Sequence, residues 1–175
     1  MTTDSNSWRW SAGPSTTSNY ITWKPNDPNY AVALDTCVVL DWNGCADVQC
    51  DILSKAVCYI VESSVKHYFL AELSKMTWAQ ARDYCRQHYH DLAMIESLEE
   101  YQAVYNVATP PFWIGLSREP WRWSDKSNSN FKNWAPEEPN NNNRNEHCVA
   151  MGPELLWEDK NCELQMPFVC ENSNF

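Results

Sequence analysis

"EEPNNNNRNEHC", residues 137–148, sets three glutamates and five asparagines in twelve positions ending at a cysteine. An ordinary surface loop has no use for carboxylate and amide oxygens at that density, whereas a hard dication does. An earlier stretch, "NDPNYAVALDTC" at residues 26–37, is built alike. "DPN" starts ten residues before Cys37 and "EPN" ten before Cys148, and the acid two places ahead of each cysteine is Asp35 or Glu146. The fold turns on whether these are one motif written twice.

Working outward, the correspondence continues. "WRWS" occurs at residues 8–11 and again at 121–124, each followed by an aromatic-x-x-Trp step, Tyr20 to Trp23 and Phe131 to Trp134. Downstream, Cys50 and Cys162 each follow an aspartate three places back, Asp47 and Asp159, and each copy closes eight residues later at Cys58 or Cys170. Landmarks in register at this number mean an internal duplication. Trp157 of the second copy corresponds to Cys45 of the first, and Glu158 to Ala46.

Only the second copy has an extended segment directly upstream. "HYFLAEL" from His67 predicts a strand. "MTWAQARDYCRQH" follows, with Thr77 as N-cap and Gln80 three residues on, and it carries Trp78, Ala81, Cys85 and His88 on one helical face. A second capping box, Ser97 with Glu100, opens another helix that stops before Pro110 and Pro111, and "FWIGL" at 112–116 predicts a buried strand.

With 175 residues, 43% of them apolar and ten of them tryptophan, the chain can build a core. Its net charge of −10 argues against nucleic acid and anionic membrane as partners, and no apolar run is long enough to predict a membrane span. Eight cysteines without CxxC spacing favour an oxidising compartment, yet "MTTDSNSWRW" has neither the basic flank nor the apolar stretch of an export signal. An extracellular protein, secreted or the ectodomain of a receptor, with its signal sequence outside this chain, reconciles the two.

Strand, helix with Cys85, second helix, "WIGL", "EPN", "WED" and two closing cysteines, in that order, resemble a C-type lectin-like domain, and the tandem copies resemble the macrophage mannose receptor group. The resemblance covers residues 67–172 as a complete domain and 1–62 as the C-terminal half of a second, joined by a linker at 63–66. It implies an α+β fold of two helices, small antiparallel sheets and a long Ca2+-binding loop region. It also implies that Cys85 pairs with Cys170 and Cys148 with Cys162. Cys37 and Cys50 keep the spacing of the latter pair, and Cys58 is left either free or paired with Cys45.

Within that resemblance Glu138, Asn140, Glu146, Glu158 and Asp159 become the expected Ca2+ ligands and, through the same oxygens and amides, the carbohydrate-binding residues. The Glu138–Pro139 bond is expected to be cis. "EPN" implies mannose-type hydroxyl geometry, in contrast to the galactose-type "QPD". Here "WED" stands where the family has "WND". Glu158 can ligate a dication but, ionised, cannot donate a hydrogen bond to a sugar. Asn141 and His147 stand where an auxiliary ion site would need acids. The first copy, with shorter aspartates and Ala46 in place of Glu158, is expected to hold no ion and to expose core aromatics. Trp134 and Trp157 are expected to pack internally rather than stack on sugar.

The expected function is therefore Ca2+-dependent binding of glycans of mannose type, as in innate immunity or endocytic uptake. The alternative is recognition of a glycoprotein or other protein ligand, with or without Ca2+. No enzyme is expected. All the clustered acids belong to the ligand pattern, and the four histidines lack a catalytic context.

Overall fold

The computed structural model describes residues 2–3, 8–13, 20–31, 34–72, 74–119, 121–125, 127, 129 and 131–170. The last two residues expected for the second domain, 171–172, lie outside them. Among the described residues two α-helices and two sheets give the expected α+β class.

Helix α1, Trp78–His88, starts on a complete capping box: the Gln80 amide N–H donates to Thr77 Oγ1 at 3.3 Å, and the Thr77 N–H to Gln80 Oε1 at 3.1 Å. Two otherwise unpaired amides at the helix start are thereby satisfied. Trp78, Ala81 and Cys85 are buried as expected. His88 is exposed instead and packs on Tyr84, ring centroids 4.6 Å apart. Helix α2, Leu98–Val107, forms half of its box. Ser97 Oγ accepts from the Glu100 N–H at 3.2 Å, but the Glu100 carboxylate reaches past the cap to the Glu96 N–H at 2.7 Å and to Lys66 Nζ at 3.0 Å.

The larger sheet joins both parts of the chain. From the first copy come β2 (Trp8–Trp10), β3 (Asp35–Asp41), β4 (Gly44–Gln49) and β5 (Lys55–Glu62). From the helix-bearing part come β6 (Val65–Leu70), β7 (Asp91–Leu92) and β8 (Phe112–Arg118). The order is β4-β3-β8-β5-β6, with β2 on β8 and β7 on β5. Strand β8, the expected buried "FWIGL" strand, is the hub. Val38, Leu40 and Val57 of the first copy pack in one core with Ile95, Val104, Phe112, Ile114 and Leu116 of the helix-bearing part. Gly115 admits this packing: a Cβ there would lie 2.7 Å from Ser11 Oγ and 3.0 Å from the Leu92 carbonyl oxygen.

Two expectations are corrected here. The division at 63–66 is no boundary in the packing, because β5 and β6 pair across it. Ser63 and Ser64 (φ 50° and 65°) form the two-residue turn, and its positive φ angles match the twist of a hairpin. Nor does the first copy expose the core tryptophans of its repeated triplet: Trp8 and Trp10 are buried on β8, while Tyr20 and Trp42 are exposed.

The disulfides follow the same pairing. Cys37–Cys50 and Cys148–Cys162 form as expected, but Cys85 is bonded to Cys58 and not to Cys170. Cys58 and Cys85 are 27 residues apart, a far shorter loop than the one from Cys85 to Cys170, and the shorter closure saves roughly 1 kcal/mol of chain entropy. Cys45 stays unpaired and buried, and Cys170 unpaired and exposed.

The remainder of the chain carries the second copy. Its sheet has the order β11-β10-β1-β9, from β1 (Thr2–Thr3), β9 (Trp121–Arg122), β10 (Cys148–Met151) and β11 (Trp157–Lys160). Beyond it the closing segment runs over the surface: Phe168 is 86% and Val169 93% exposed, while their counterparts Ala56 and Val57 are wholly buried. Among the described residues no helix is long and apolar enough to cross a membrane.

Candidate ion and glycan site

Two copies of one loop frame exist, and they share their bridge, turn and cis peptide bond. In the second, Trp134 bridges Trp157, the Glu138 N–H donates to the Ala135 carbonyl at 3.0 Å, and Glu138–Pro139 is cis as expected. In the first, Trp23 bridges Cys45, the Asp27 N–H donates to the Lys24 carbonyl at 2.9 Å, and Asp27–Pro28 is cis. Residues with left-handed backbone recur in register, Asn26 and Tyr30 against Glu137 and Asn141.

Asp159 is the pivot of the second frame. Fully buried, it accepts from the Asn140 N–H on Oδ1 at 2.9 Å and from the Asn141 N–H on Oδ2 at 2.8 Å. Its own N–H donates to Glu138 Oε2 at 3.2 Å. The Asn140 side-chain amide donates to Glu138 Oε1, and Asn140 Oδ1 and Glu146 Oε2 both accept from the Asn142 N–H at 2.8 Å. Four of the five expected ligands, Glu138, Asn140, Glu146 and Asp159, thus belong to one hydrogen-bonded constellation. Burial, with Asp159 alongside, holds the Glu138 carboxyl above its ordinary range.

Glu158 stands apart. Successive residues of a strand point to opposite faces, so with Asp159 turned inward Glu158 projects outward, where its Oε2 pairs with Lys160 Nζ at 2.8 Å. That ion pair raises the Lys160 pKa.

The first frame repeats the pattern, with Asp47 accepting from the Asn29 and Tyr30 N–H groups, each at 2.9 Å, and Asn29 donating to Asp27. Burial raises the Asp47 pKa, and the two N–H donors oppose it. Here sequence reasoning missed a residue. Arg118 is buried, donates from Nε to the Asp35 carbonyl at 3.2 Å, and lies 4.3 Å from the Tyr30 ring centroid and 5.4 Å from that of Trp8. Burial lowers its pKa while Tyr30, Asp47 and Asp35 oppose the shift. A second missed residue is Asn141, which was weighed only as a lost acid. It is buried, its side chain accepts from the Glu146 N–H at 3.1 Å, and it donates to the Tyr30 carbonyl at 3.2 Å, so it ties the two frames together. The one signal for it was asparagine's tolerance of left-handed backbone.

The aromatics sit as expected. Trp157 is buried, with Trp123, Phe131 and Trp134 around it at centroid distances of 5.5 to 5.8 Å.

Among the described residues no group of three or more His, Cys, Asp or Glu side chains is arranged so that it could hold a metal ion. The donor set is nevertheless of the kind Ca2+ takes: carboxylate and amide oxygens, with two acids, Glu138 and Asp159, adjacent and, among the described residues, no cationic side chain hydrogen-bonded to either.

An α+β fold with two helices and a long loop region pinned by a disulfide defines a lectin-like binding module. The C-type lectin domain model matches residues 74–172, more than half of the chain, which therefore belongs to the C-type lectin domain family. "C-type lectin domain family 17, member A" of Homo sapiens is 33% identical over 112 residues, 61% of this chain and 29% of that protein. "C-type lectin BML-2" of Bungarus multicinctus is 34% identical over 110 residues, 54% of this chain and 70% of that protein. "C-type lectin mannose-binding isoform" of Oxyuranus scutellatus is 30% identical over 144 residues, 74% of this chain and 85% of that protein. The chain thus spans under a third of the human relative's length. No solved structure matches. The family is one of carbohydrate-binding, non-enzymatic proteins, in keeping with the reading of the acids as ligands rather than catalysts.

Proposed function

We propose that the chain is a Ca2+-dependent glycan-binding module of mannose-type specificity, belonging to an extracellular protein built from tandem lectin-like domains. The observation that carries this is the constellation around Asp159, where Glu138, Asn140 and Glu146 converge. Bound there, Ca2+ would supply a Lewis acid to which two neighbouring sugar hydroxyls bind in place of water. Glu138 and Glu146 would accept hydrogen bonds from the hydroxyls, and the Asn140 amide would donate to a hydroxyl oxygen. The sequence "EPN" and the name of the Oxyuranus relative, a mannose-binding isoform, support mannose over galactose. Three disulfides support an oxidising, extracellular setting, and uptake or innate recognition of glycoproteins fits such a module.

A specific observation favours a second reading. Glu158 is held by Lys160 and, as a carboxylate, offers no donor to a sugar, so a protein ligand would suit that edge better. Calorimetric titration of Ca2+ into the whole chain, followed by a glycan array with and without chelator, separates the two. Chelator-sensitive binding to mannose-type glycans supports the proposal. Ca2+ binding without any glycan favours the protein ligand, and binding of neither overturns the site.

A further inference from the structure

The chain holds one helix-bearing half, residues 66–118, and two copies of the half that completes it, 8–60 and 121–170. The structure uses the first copy. We propose that the second is an interchangeable occupant of the same place, and that thiol–disulfide exchange at Cys85 moves the chain between the two states. This does not depend on which ligand the loops bind.

Three observations on different elements carry it. The first is strand register. Trp8, Arg9 and Trp10 lie opposite Arg118, Ser117 and Leu116 of β8. Two residues after β8 ends, the chain repeats that triplet as Trp121, Arg122 and Trp123. A hairpin turning on residues 119–120 would set the second triplet opposite the same three residues in the same order. The second is the unfilled closing segment. Phe168, Val169 and Cys170 stand in register with Ala56, Val57 and Cys58, yet the former are exposed while Ala56, Val57 and Cys58 are fully buried. A core-type segment left in water at that exposure is one whose place is already taken. The third is volume. Val39 and Ala56 pack in one cluster beside Cys85, and their counterparts are Ala150 and Phe168. One position loses two carbons where the other gains six, so the smaller residue offsets part of the larger one's added volume.

Cysteine accounting makes the two states chemically equivalent. Cys58 is bonded to Cys85, and Cys170 is an exposed free thiol. In the exchange the Cys170 thiolate attacks Cys85 Sγ. The new Cys85–Cys170 bond forms as Cys58–Cys85 breaks, and the electron pair leaves on Cys58 as a thiolate. Each state has three disulfides and two thiols, so no oxidant or reductant is consumed.

The test is non-reducing peptide mapping of the whole chain, purified under acid quench and then equilibrated in glutathione redox buffer, using an equal mixture of isotopically light and heavy protein. The expected result is a fall in the Cys58–Cys85 peptide, a matching rise of Cys85–Cys170 within chains of one isotope, and a Cys58 thiol, with Cys170→Ser abolishing the change. Cys58→Ser should give Cys85–Cys170 in a monomer. Persistence of Cys58–Cys85 alone, while Cys170 exchanges with glutathione and is therefore reactive, overturns the proposal. So does a Cys85–Cys170 bond found only between light and heavy chains, or Cys85 and Cys170 both remaining free thiols in folded Cys58→Ser protein.

Discussion

The Asn141 side-chain amide donates to the Tyr30 carbonyl oxygen at 3.2 Å, so a residue of one loop frame is satisfied by its counterpart in the other. Both have left-handed backbone, φ 48° for Asn141 and 50° for Tyr30. Asn141→Gly keeps that backbone accessible while deleting both side-chain bonds. We expect a loss of about 1 to 3 kcal/mol, the cost of leaving buried partners unpaired. Hydrogen exchange at the Glu146 amide, which now donates to Asn141 Oδ1, should accelerate while helix α1 amides are unchanged.

Chelation of Ca2+ should loosen residues 136–146 more than either helix, because the ion offsets the mutual repulsion of Glu138, Glu146 and Asp159. Equal exchange protection of that loop with and without chelator would remove the ion from it.

Glu158→Asn tests the sugar step. The change supplies an amide donor and releases the side chain from Lys160, its present partner at 2.8 Å, so that it can turn from the outward face toward the ion. One good hydrogen bond is worth about 0.5 to 1.5 kcal/mol, so mannose affinity should rise roughly three- to tenfold at a modest loss in Ca2+ affinity. No detectable mannose binding by the variant at saturating Ca2+ would sink the mannose reading and leave the ion site standing.

Thiol titration distinguishes the two unpaired cysteines. Burial pushes the Cys45 thiol up to about 12, so at pH 8 it is protonated and enclosed, and only above that value or on unfolding does it become a nucleophile. Alkylation of native protein should label Cys170, or Cys58 in chains that have exchanged, but not Cys45, and denaturant should add Cys45. Rapid labelling of Cys45 in the folded state would show that its pocket opens.

Gly115→Ala should destabilise by about 1 to 3 kcal/mol, since its Cβ would lie 3.0 Å from the Leu92 carbonyl, a backbone atom that cannot swing aside. Adding Ser11→Gly removes the 2.7 Å contact with Ser11 Oγ and should recover only part of the loss in a thermal melt.

What the sequence made legible was whatever local chemistry decides. The capping box at Thr77 and Gln80, the buried strand at 112–116 and the carboxylate–asparagine frame at 138–146 depend on neighbours within a few residues, and each formed. The choice of partner for Cys85 was not local. Two cysteines, Cys58 and Cys170, end equivalent segments, and only the packing of β5 beside β6 and β8 shows which one reaches α1. Arg118 was invisible for the same reason: its partners Asp35, Tyr30 and Trp8 are close only after the first copy has docked. The direction of Glu158 was readable in principle, because strand alternation sends it away from Asp159, but a ligand motif was weighed there instead of a strand.

The Ser63–Ser64 turn has one further consequence. In the assembled part the first-copy half precedes the helices along the chain, whereas in the matched stretch 74–172 the equivalent half follows them. The two arrangements are circular permutants. Trp8 lies opposite Arg118 in the sheet, so the start of one half and the end of the other are already neighbours. Severing the chain between Ser63 and Ser64 and fusing Arg118 to Trp8 through a short loop would turn one order into the other with the same core, and so relieve the domain of any need for residues 121–170.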